Sequence, residues 1–410
     1  MAHNNTNTTY GPVTKSFHWL TALLILTTIP IGIWANNIAE AIRDPAIATT
    51  DAMLIRATFL FSIHKTIGVT IFFVALARIA WAVTHVKPGL LNGDNRPEAW
   101  AAETVHWLLY GSLLLVPLSG WITHAAVAGF APIWWPFGQT LPFVPQSAAL
   151  AKFSGATHYI LQWVLVGSIG LHIAGALKHH VIDGDATLRR MLPGRVSAQP
   201  THEQPGHGAP LITALLIWAA AMGAGAGLGW FPQGTGDTAA PEPAPLAQVT
   251  SQWQKTGGTL GIGITQLGAP VSGEFSDWTA DITYDETPDA WGRHGDVAIT
   301  IAMASFSLGM LGDQAMGPAF LDAAQFSTAR YTAELMAQDT GLVAVGTLSV
   351  KDVFLPLDIP VTLNITGDEA RASGSAVIDR RTVNVGQSFS DPGTLGFDVQ
   401  ITFDLTATRR

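Results

Sequence analysis

Between Lys15 and Glu40 the chain contains no Asp, Glu, Lys or Arg, and four later stretches are nearly as bare. The second runs from about Ala57 to Val86, broken by Lys65 and Arg78. The third begins after Glu103, and no charge returns until Lys152. Pro132, Pro136, Pro142 and Pro145 mark a loop inside it, which leaves roughly Thr104–Ala128 as helix. The fourth runs from Phe153 to Leu177 and the fifth from Pro210 to Phe231. A helix that crosses a bilayer needs about 20 apolar residues, and each run is of that order. Five such lengths in one chain of 410 residues are too many for the buried helices of a soluble core. The first part is therefore read as five membrane spans.

Charge divides the chain at the same place. Residues 1–231 hold 12 Lys+Arg against 9 Asp+Glu, and residues 232–410 hold 9 against 21. So acidic a second part argues against nucleic-acid binding, which needs clustered Lys and Arg to neutralise phosphate. One set of span ends carries Lys15, Lys87, Arg96, Lys178, Arg189, Arg190 and Arg195; the other carries Arg43, Arg56 and Lys152. The richer set is expected to be cytoplasmic. The N-terminus then lies inside, four spans return the chain to the cytoplasm, and the fifth carries everything after Phe231 outward. Met1–Phe17 is polar and lacks the apolar core of a signal peptide, so no cleavage is expected there.

The fifth span contains Gly223-Ala-Gly-Ala-Gly-Leu-Gly229, which is spelled like a dinucleotide-binding loop. No strand precedes it and an apolar helix surrounds it, so the glycines are read as helix-packing or simply tolerated positions. Residues 233–248 form a Gly/Pro/Ala-rich linker, expected to be extended. Beyond it the period changes to two. Val297, Ile299, Ile301 and Met303 fall on one face of a strand over Asp296–Met303, and further strands are expected at Leu342–Val350, Val361–Ile365 and Leu395–Leu405. Short strands between Gly, Asp and Pro turns imply a barrel or sandwich.

The chain has no cysteine, which excludes disulfides, thiolate zinc sites, iron–sulfur clusters and covalently attached c-type haem. Histidine is the strong metal ligand that remains, and 12 of the 13 lie at or before His207. Ionisable residues inside spans are functional candidates by default. His158 and His172 are 14 residues apart on the fourth span, a net rotation of only about 40° and a separation of roughly 21 Å along the helix. His18 opens the first span and His64 opens the antiparallel second. Matching depths pairs His64 with His158 near the outer face and His18 with His172 near the inner face. Two bis-histidine sites stacked across a bilayer suit two haem b groups, each iron taking two imidazoles. A metal-transport path would need carboxylates that the spans lack.

Arg78, 14 residues after His64, faces the same way at the inner depth and is a candidate contact for a haem propionate. Lys65 is the corresponding outer candidate, for a propionate or an anion. Both residues are also placed to snorkel to the membrane surface. His106 is a candidate quinone or proton-transfer residue, and otherwise an interfacial helix-end residue. His124 is a weaker candidate at the outer end of the third span. His85, His179 and His180, at cytoplasmic ends, are read as facing solvent.

These segments resemble a known family. Lys15-Ser-Phe-His-Trp19, Ile63-His-Lys-Thr-Ile-Gly68, Leu76-Ala-Arg-Ile-Ala-Trp81, Val105-His-Trp-Leu-Leu-Tyr110, Pro117-Leu-Ser-Gly120 and Gly170-Leu-His-Ile-Ala-Gly-Ala-Leu-Lys-His-His180 followed by Leu188-Arg-Arg-Met191 are similar to bacterial cytochrome b561. The resemblance covers about residues 10–195 and implies a four-helix di-haem bundle that exchanges electrons with ubiquinone. It maps the haem ligands onto His18, His64, His158 and His172. Some family members oxidise periplasmic superoxide and pass the electron to quinone. The tail resembles the YceI-like family, in Gly273-Glu-Phe-Ser-Asp-Trp278, Ile282-Thr-Tyr-Asp285, Val297–Phe306, Gly346-Thr-Leu-Ser-Val350, Pro360-Val-Thr-Leu363 and Gly396–Leu405. That resemblance, over about residues 250–408, implies a periplasmic lipocalin-like barrel around a polyisoprenoid such as a quinone tail. Leu308–Phe320 departs from the family pattern by a Gly/Met-rich insertion. Met303, Phe306, Leu308, Met310, Leu311, Met316 and Phe320 are candidates for an entrance, or for ordinary core. With a single histidine, His294, and no cysteine, the tail offers no nucleophilic triad.

The expected architecture is an all-α membrane four-helix di-haem bundle plus one extra transmembrane helix, followed by an all-β lipocalin-like barrel. Its parts are the cytochrome domain (1–195), a cytoplasmic connector with the fifth helix (196–232), the linker (233–248) and the periplasmic barrel (249–410). The expected activity is a superoxide:ubiquinone oxidoreductase in a bacterial inner membrane. Val297, Ile299, Ile301, Met303, Phe306 and Phe320 are expected to line an isoprenoid site. The same residues also fit a quinol-oxidising relay to a soluble periplasmic partner, or a lipid carrier whose bundle is only an anchor.

Overall fold

The computed structural model describes residues 4–44, 47, 50–127, 131–202, 207–231, 246–247, 249–266, 268–308, 312–339 and 341–410. Nearly all of the expected linker, and Met310 and Leu311 of the expected barrel entrance, lie outside these residues. The chain forms two compact units, one holding most of the helical residues and one holding all ten strands.

Four long helices come first: α1 (Pro12–Arg43), α2 (Asp51–Thr84), α3 (Arg96–Ala125) and α4 (Ala148–Val181). A short α5 (Thr187–Met191) and α6 (Gly208–Gly227) follow. Five of the six are long and apolar enough to cross a membrane. The third and fourth helices begin earlier than hydropathy alone predicts, because their starts are set by caps. The Asn95 side chain accepts from Glu98 N, with Pro97 in the first turn, and Ser147 Oγ accepts from Leu150 N at 3.2 Å. Each cap satisfies amide hydrogens that the first helical turn leaves without partners.

The glycine run in α6 has two identifiable uses. Gly229 takes φ +73°. Trp230 N donates to Gly225 O at 2.9 Å and Gly229 N to Ala226 O at 3.1 Å, the paired bonds that close a helix around a left-handed glycine. Gly225 receives Ile160 of α4, since a Cβ there would stand 2.4 Å from Ile160 Cδ1.

The second unit is one antiparallel sheet in the order β3-β4-β6-β7-β8-β9-β10-β1-β2-β5. Its strands are β1 (Trp253–Gln266), β2 (Ala269–Phe275), β3 (Trp278–Tyr284), β4 (Arg293–Ala302), β5 (Phe306–Ser307), β6 (Thr328–Gln338), β7 (Gly341–Val350), β8 (Val353–Thr366), β9 (Glu369–Asp379) and β10 (Leu395–Arg409). Between β5 and β6 lies a short helix, α7 (Gly312–Met316). Ten strands laid flat would span about 43 Å at the usual spacing. Yet β2 and β3, near opposite ends of that order, are joined by only Ser276 and Asp277, a reach of at most about 11 Å. The sheet therefore curls until its ends meet. At the seam Ala302 N donates to Asp277 O and Ser276 N to Ser305 O. Strand β4 ends one residue earlier than expected, with Met303 opening a single 3-10 turn through Ser305. The inward face of the curl is apolar, and Trp253, Trp278, Met303 and Ile301 are among its buried residues.

Candidate metal centres and the barrel cavity

Helix α4 carries both His158 and His172. The structure brings His172 to His18 of α1, with ring centroids 6.0 Å apart, and His158 to His64 of α2, at 6.1 Å. An iron held about 2 Å from each imidazole nitrogen needs ring centroids roughly 6 Å apart, so both pairs fit.

The His64–His158 pair also has its tautomer set. His64 Nδ1 lies 3.0 Å from Thr28 O, and His158 Nδ1 lies 2.8 Å from Val116 O. A carbonyl only accepts, so each Nδ1 carries the hydrogen and each Nε2 keeps the lone pair that a metal takes. Two glycines permit these approaches. A Cβ at Gly32 would stand 2.6 Å from His64 Cε1, and one at Gly120 would stand 3.0 Å from His158 Nδ1. Each glycine follows its accepting carbonyl by four residues, one helical turn along the same face. Sequence reasoning missed Gly32 and gave Gly120 no role. The available signal was an isolated glycine just after a proline in an apolar helix, Pro30–Gly32 and Pro117–Gly120.

The His18–His172 pair sits among polar neighbours. The His106 ring is 5.3 Å from that of His172. Glu103, one turn earlier on α3, has a buried carboxylate that pairs with Lys87 at 3.0 Å. The Arg78 guanidinium lies over the Tyr110 ring at 5.3 Å, and its charge acts on both His18 and His172. Lys65 Nζ lies 3.2 Å from His124 Nδ1, and His124 Nε2 lies 3.1 Å from Gln139 Oε1. An amide oxygen accepts, so His124 donates through Nε2 and receives Lys65 at Nδ1. His124 is thereby tied to Lys65, the residue following the candidate ligand His64.

One expectation needs correcting. His179 does not face solvent: it is buried, with Nδ1 2.7 Å from Asp185 Oδ2 and 3.2 Å from Asp183 Oδ2. The backbone and hydroxyl of Thr187 and the His179 imidazole hold the Asp185 carboxyl below its ordinary range. Glu98, His179 and Asp183 have the proximity of a metal site. Lys178 Nζ already bridges the two carboxylates at 2.6 and 2.9 Å, so the chain supplies its own cation there. His85 is stacked on Trp81, with ring centroids 3.5 Å apart.

The curled sheet encloses a cavity of about 300 Å³. Val297, Ile299, Ile301, Met303, Phe306 and Phe320 all line it. Near one end, buried Arg380 donates to the carbonyls of Gly396, Val385, Phe389 and Leu395, which fastens the loop between β9 and β10.

Residues 9–194 match the family described as prokaryotic cytochrome b561, and residues 252–407 match the YceI-like domain. Cytochrome b561 homolog 2 of Escherichia coli (strain K12) is 31% identical over 196 residues, which are 47% of this chain and 95% of that relative. The chain belongs to the cytochrome b561 family. Probable superoxide oxidase CybB of Yersinia pestis is 30% identical over 185 residues, 45% of this chain and 96% of its own. Among solved structures, BcnA of Burkholderia cenocepacia is 29% identical, covering 37% of this chain and 96% of that one, with a TM-score of 0.34. This cytochrome b561 is thus a membrane protein of a haem-dependent oxidoreductase family, carrying a YceI-like domain behind its bundle.

Proposed function

We propose that this cytochrome b561 holds two haem b groups, one between His64 and His158 and one between His18 and His172, and passes electrons from superoxide to ubiquinone. The observation that carries the reading is the pair of near-equal ring separations, 6.0 and 6.1 Å, at two levels of one helix. Bound haem supplies one-electron transfer; the rest is the work of the chain. Thr28 O and Val116 O orient the outer imidazoles. Lys65 or Lys152 supplies the positive charge that attracts the superoxide anion. Arg78 neutralises a propionate at the inner level, and His106 serves the quinone. The balance is two superoxide, one quinone and two protons giving two dioxygen and one quinol. The side rich in Lys and Arg is cytoplasmic, and the YceI-like domain is periplasmic.

The apolar barrel cavity supports a container for the isoprenoid tail of quinone, because a long hydrocarbon gains most where polar groups are few. A tethered reservoir raises the local quinone concentration at the bundle. Stopped-flow mixing with superoxide tests the activity. Haem reduction is expected to be fast in the intact protein and lost in His64→Ala; equal rates in the two would refute superoxide as donor. Lipid extraction of the isolated protein, read by mass spectrometry, is expected to yield an isoprenoid quinone.

A further inference from the structure

Helix α6 lies beyond the part of the chain that matches the cytochrome family, yet it is built into the bundle. Its Trp218 lies against Gly111 of α3, where a Cβ would stand 2.0 Å from the ring, and the indole N–H donates to Ser112 Oγ at 3.2 Å. At the head of the same helix, His207 Nδ1 is 2.7 Å from Glu103 Oε1. The His207 side chain is 51% exposed and that of Glu103 only 8%. The other oxygen of Glu103 is 3.0 Å from Lys87 Nζ and 3.9 Å from His106 Nδ1. A water-facing imidazole therefore touches a buried carboxylate whose other oxygen lies between Lys87 and His106, the residue whose ring neighbours His172.

We propose that His207 and Glu103 form the proton intake for quinone reduction, so that α6 is a working part of the redox unit and not only an anchor. This rests on the quinone-reducing function proposed above. Each quinone takes up two electrons and two protons. The Nδ1–H ring of His207 takes a proton from water at Nε2 and passes its Nδ1 proton to the Glu103 carboxylate; a ring flip or proton exchange with water then restores the Nδ1–H form. Glu103 passes the proton inward to the reduced quinone on the His106 side. Lys87 compensates the carboxylate charge between transfers. The charged and titratable groups that act on Glu103 are Lys87 from the α2–α3 connection, His106 from its own helix, His207 from α6 and Tyr10 from the N-terminal segment. Lys87 already gives Glu103 a cationic partner, and the contact from His207 adds a second group that can exchange a proton with it.

The test uses the full-length, haem-loaded protein with a short-chain quinone and a pH-sensitive dye. Haem reduction by superoxide, proton uptake and quinol formation are recorded together across pH. In His207→Ala, haem reduction is expected to stay near the wild-type rate. Proton uptake and quinol formation are expected to fall roughly tenfold, a modest share of what general acid–base groups supply, and to recover with added imidazole. Glu103→Gln keeps the side-chain shape but carries no transferable proton, so imidazole is expected not to restore it. Wild-type quinol formation with an indifferent His207→Ala, or recovery of Glu103→Gln by imidazole, would overturn the intake alone. A wild-type protein whose haems are reduced but which forms no quinol would overturn the proposed function and the intake together.

Discussion

Gly32→Ala is a small change with a large expected effect on one metal centre. The new methyl would stand 2.6 Å from His64 Cε1 and 2.7 Å from Nδ1. Carbon atoms rest at about 3.5–4.0 Å, so the imidazole has to move by roughly 1 Å. Ligand distances at a metal tolerate only about 0.2 Å. The displacement also strains the 3.0 Å bond from His64 Nδ1 to Thr28 O. Overpacking of this kind costs about 1–3 kcal/mol and a lost hydrogen bond about 1 kcal/mol more. Together, about 2–4 kcal/mol corresponds to roughly 30- to 1000-fold weaker retention of the outer haem. Gly120→Ala is expected to act in the same direction more mildly, since its Cβ would stand 3.0 Å from His158 Nδ1. Gly223→Ala, with no atom within 4 Å of the added carbon, serves as the control. The assay is haem content per chain by the pyridine haemochrome method, after washing in detergent. The account predicts a fall toward one haem in Gly32→Ala with the inner pair retained. Two tightly held haems and an unchanged spectrum would refute the packing argument.

Other consequences follow from separate parts of the molecule. Trp218→Ala removes a half-buried ring and its bond to Ser112 Oγ and is expected to weaken the packing of α6 on α3 by about 1–3 kcal/mol, read as a lower thermal midpoint in detergent. Ile299→Trp fills part of the roughly 300 Å³ barrel cavity, so the isoprenoid recovered by extraction is expected to drop while the sheet signal in circular dichroism stays. The Arg381 guanidinium beside Asp379 holds its carboxyl at about 2. An unfolded Asp titrates near 4, so this pair stabilises the barrel fully above pH about 4 and stops doing so as pH falls through about 2. Partial exposure keeps the effect below about 1 kcal/mol. Asp379→Asn is expected to flatten that limb of the acid-unfolding curve.

Much of this is legible in the sequence. Charge-free runs locate spans because a bilayer excludes charge, and His158 and His172 are readable because 14 residues return a helix to nearly the same face. The alternation through Val297, Ile299 and Ile301 marks an inward face by the same logic at period two. What escaped depends on neighbours far away in sequence. Gly32 matters only because His64 arrives beside it, and Glu103 looks like a helix-end acid until His207, 104 residues later, is seen to touch it. His179 looks solvent-facing in sequence because its partner Asp185 lies past the helix end and folds back. Curling of the sheet is implied by no single strand; it follows from the two-residue link between β2 and β3, which lie near opposite ends of the strand order.

The measurement closest to the central claim is haem stoichiometry with ligand variants. The intact 43.5 kDa chain is expected to hold two low-spin haem b groups. His64→Ala with His158→Ala, and His18→Ala with His172→Ala, are each expected to leave one. A colourless, folded protein, or an outer-pair variant that keeps both haems, would contradict it.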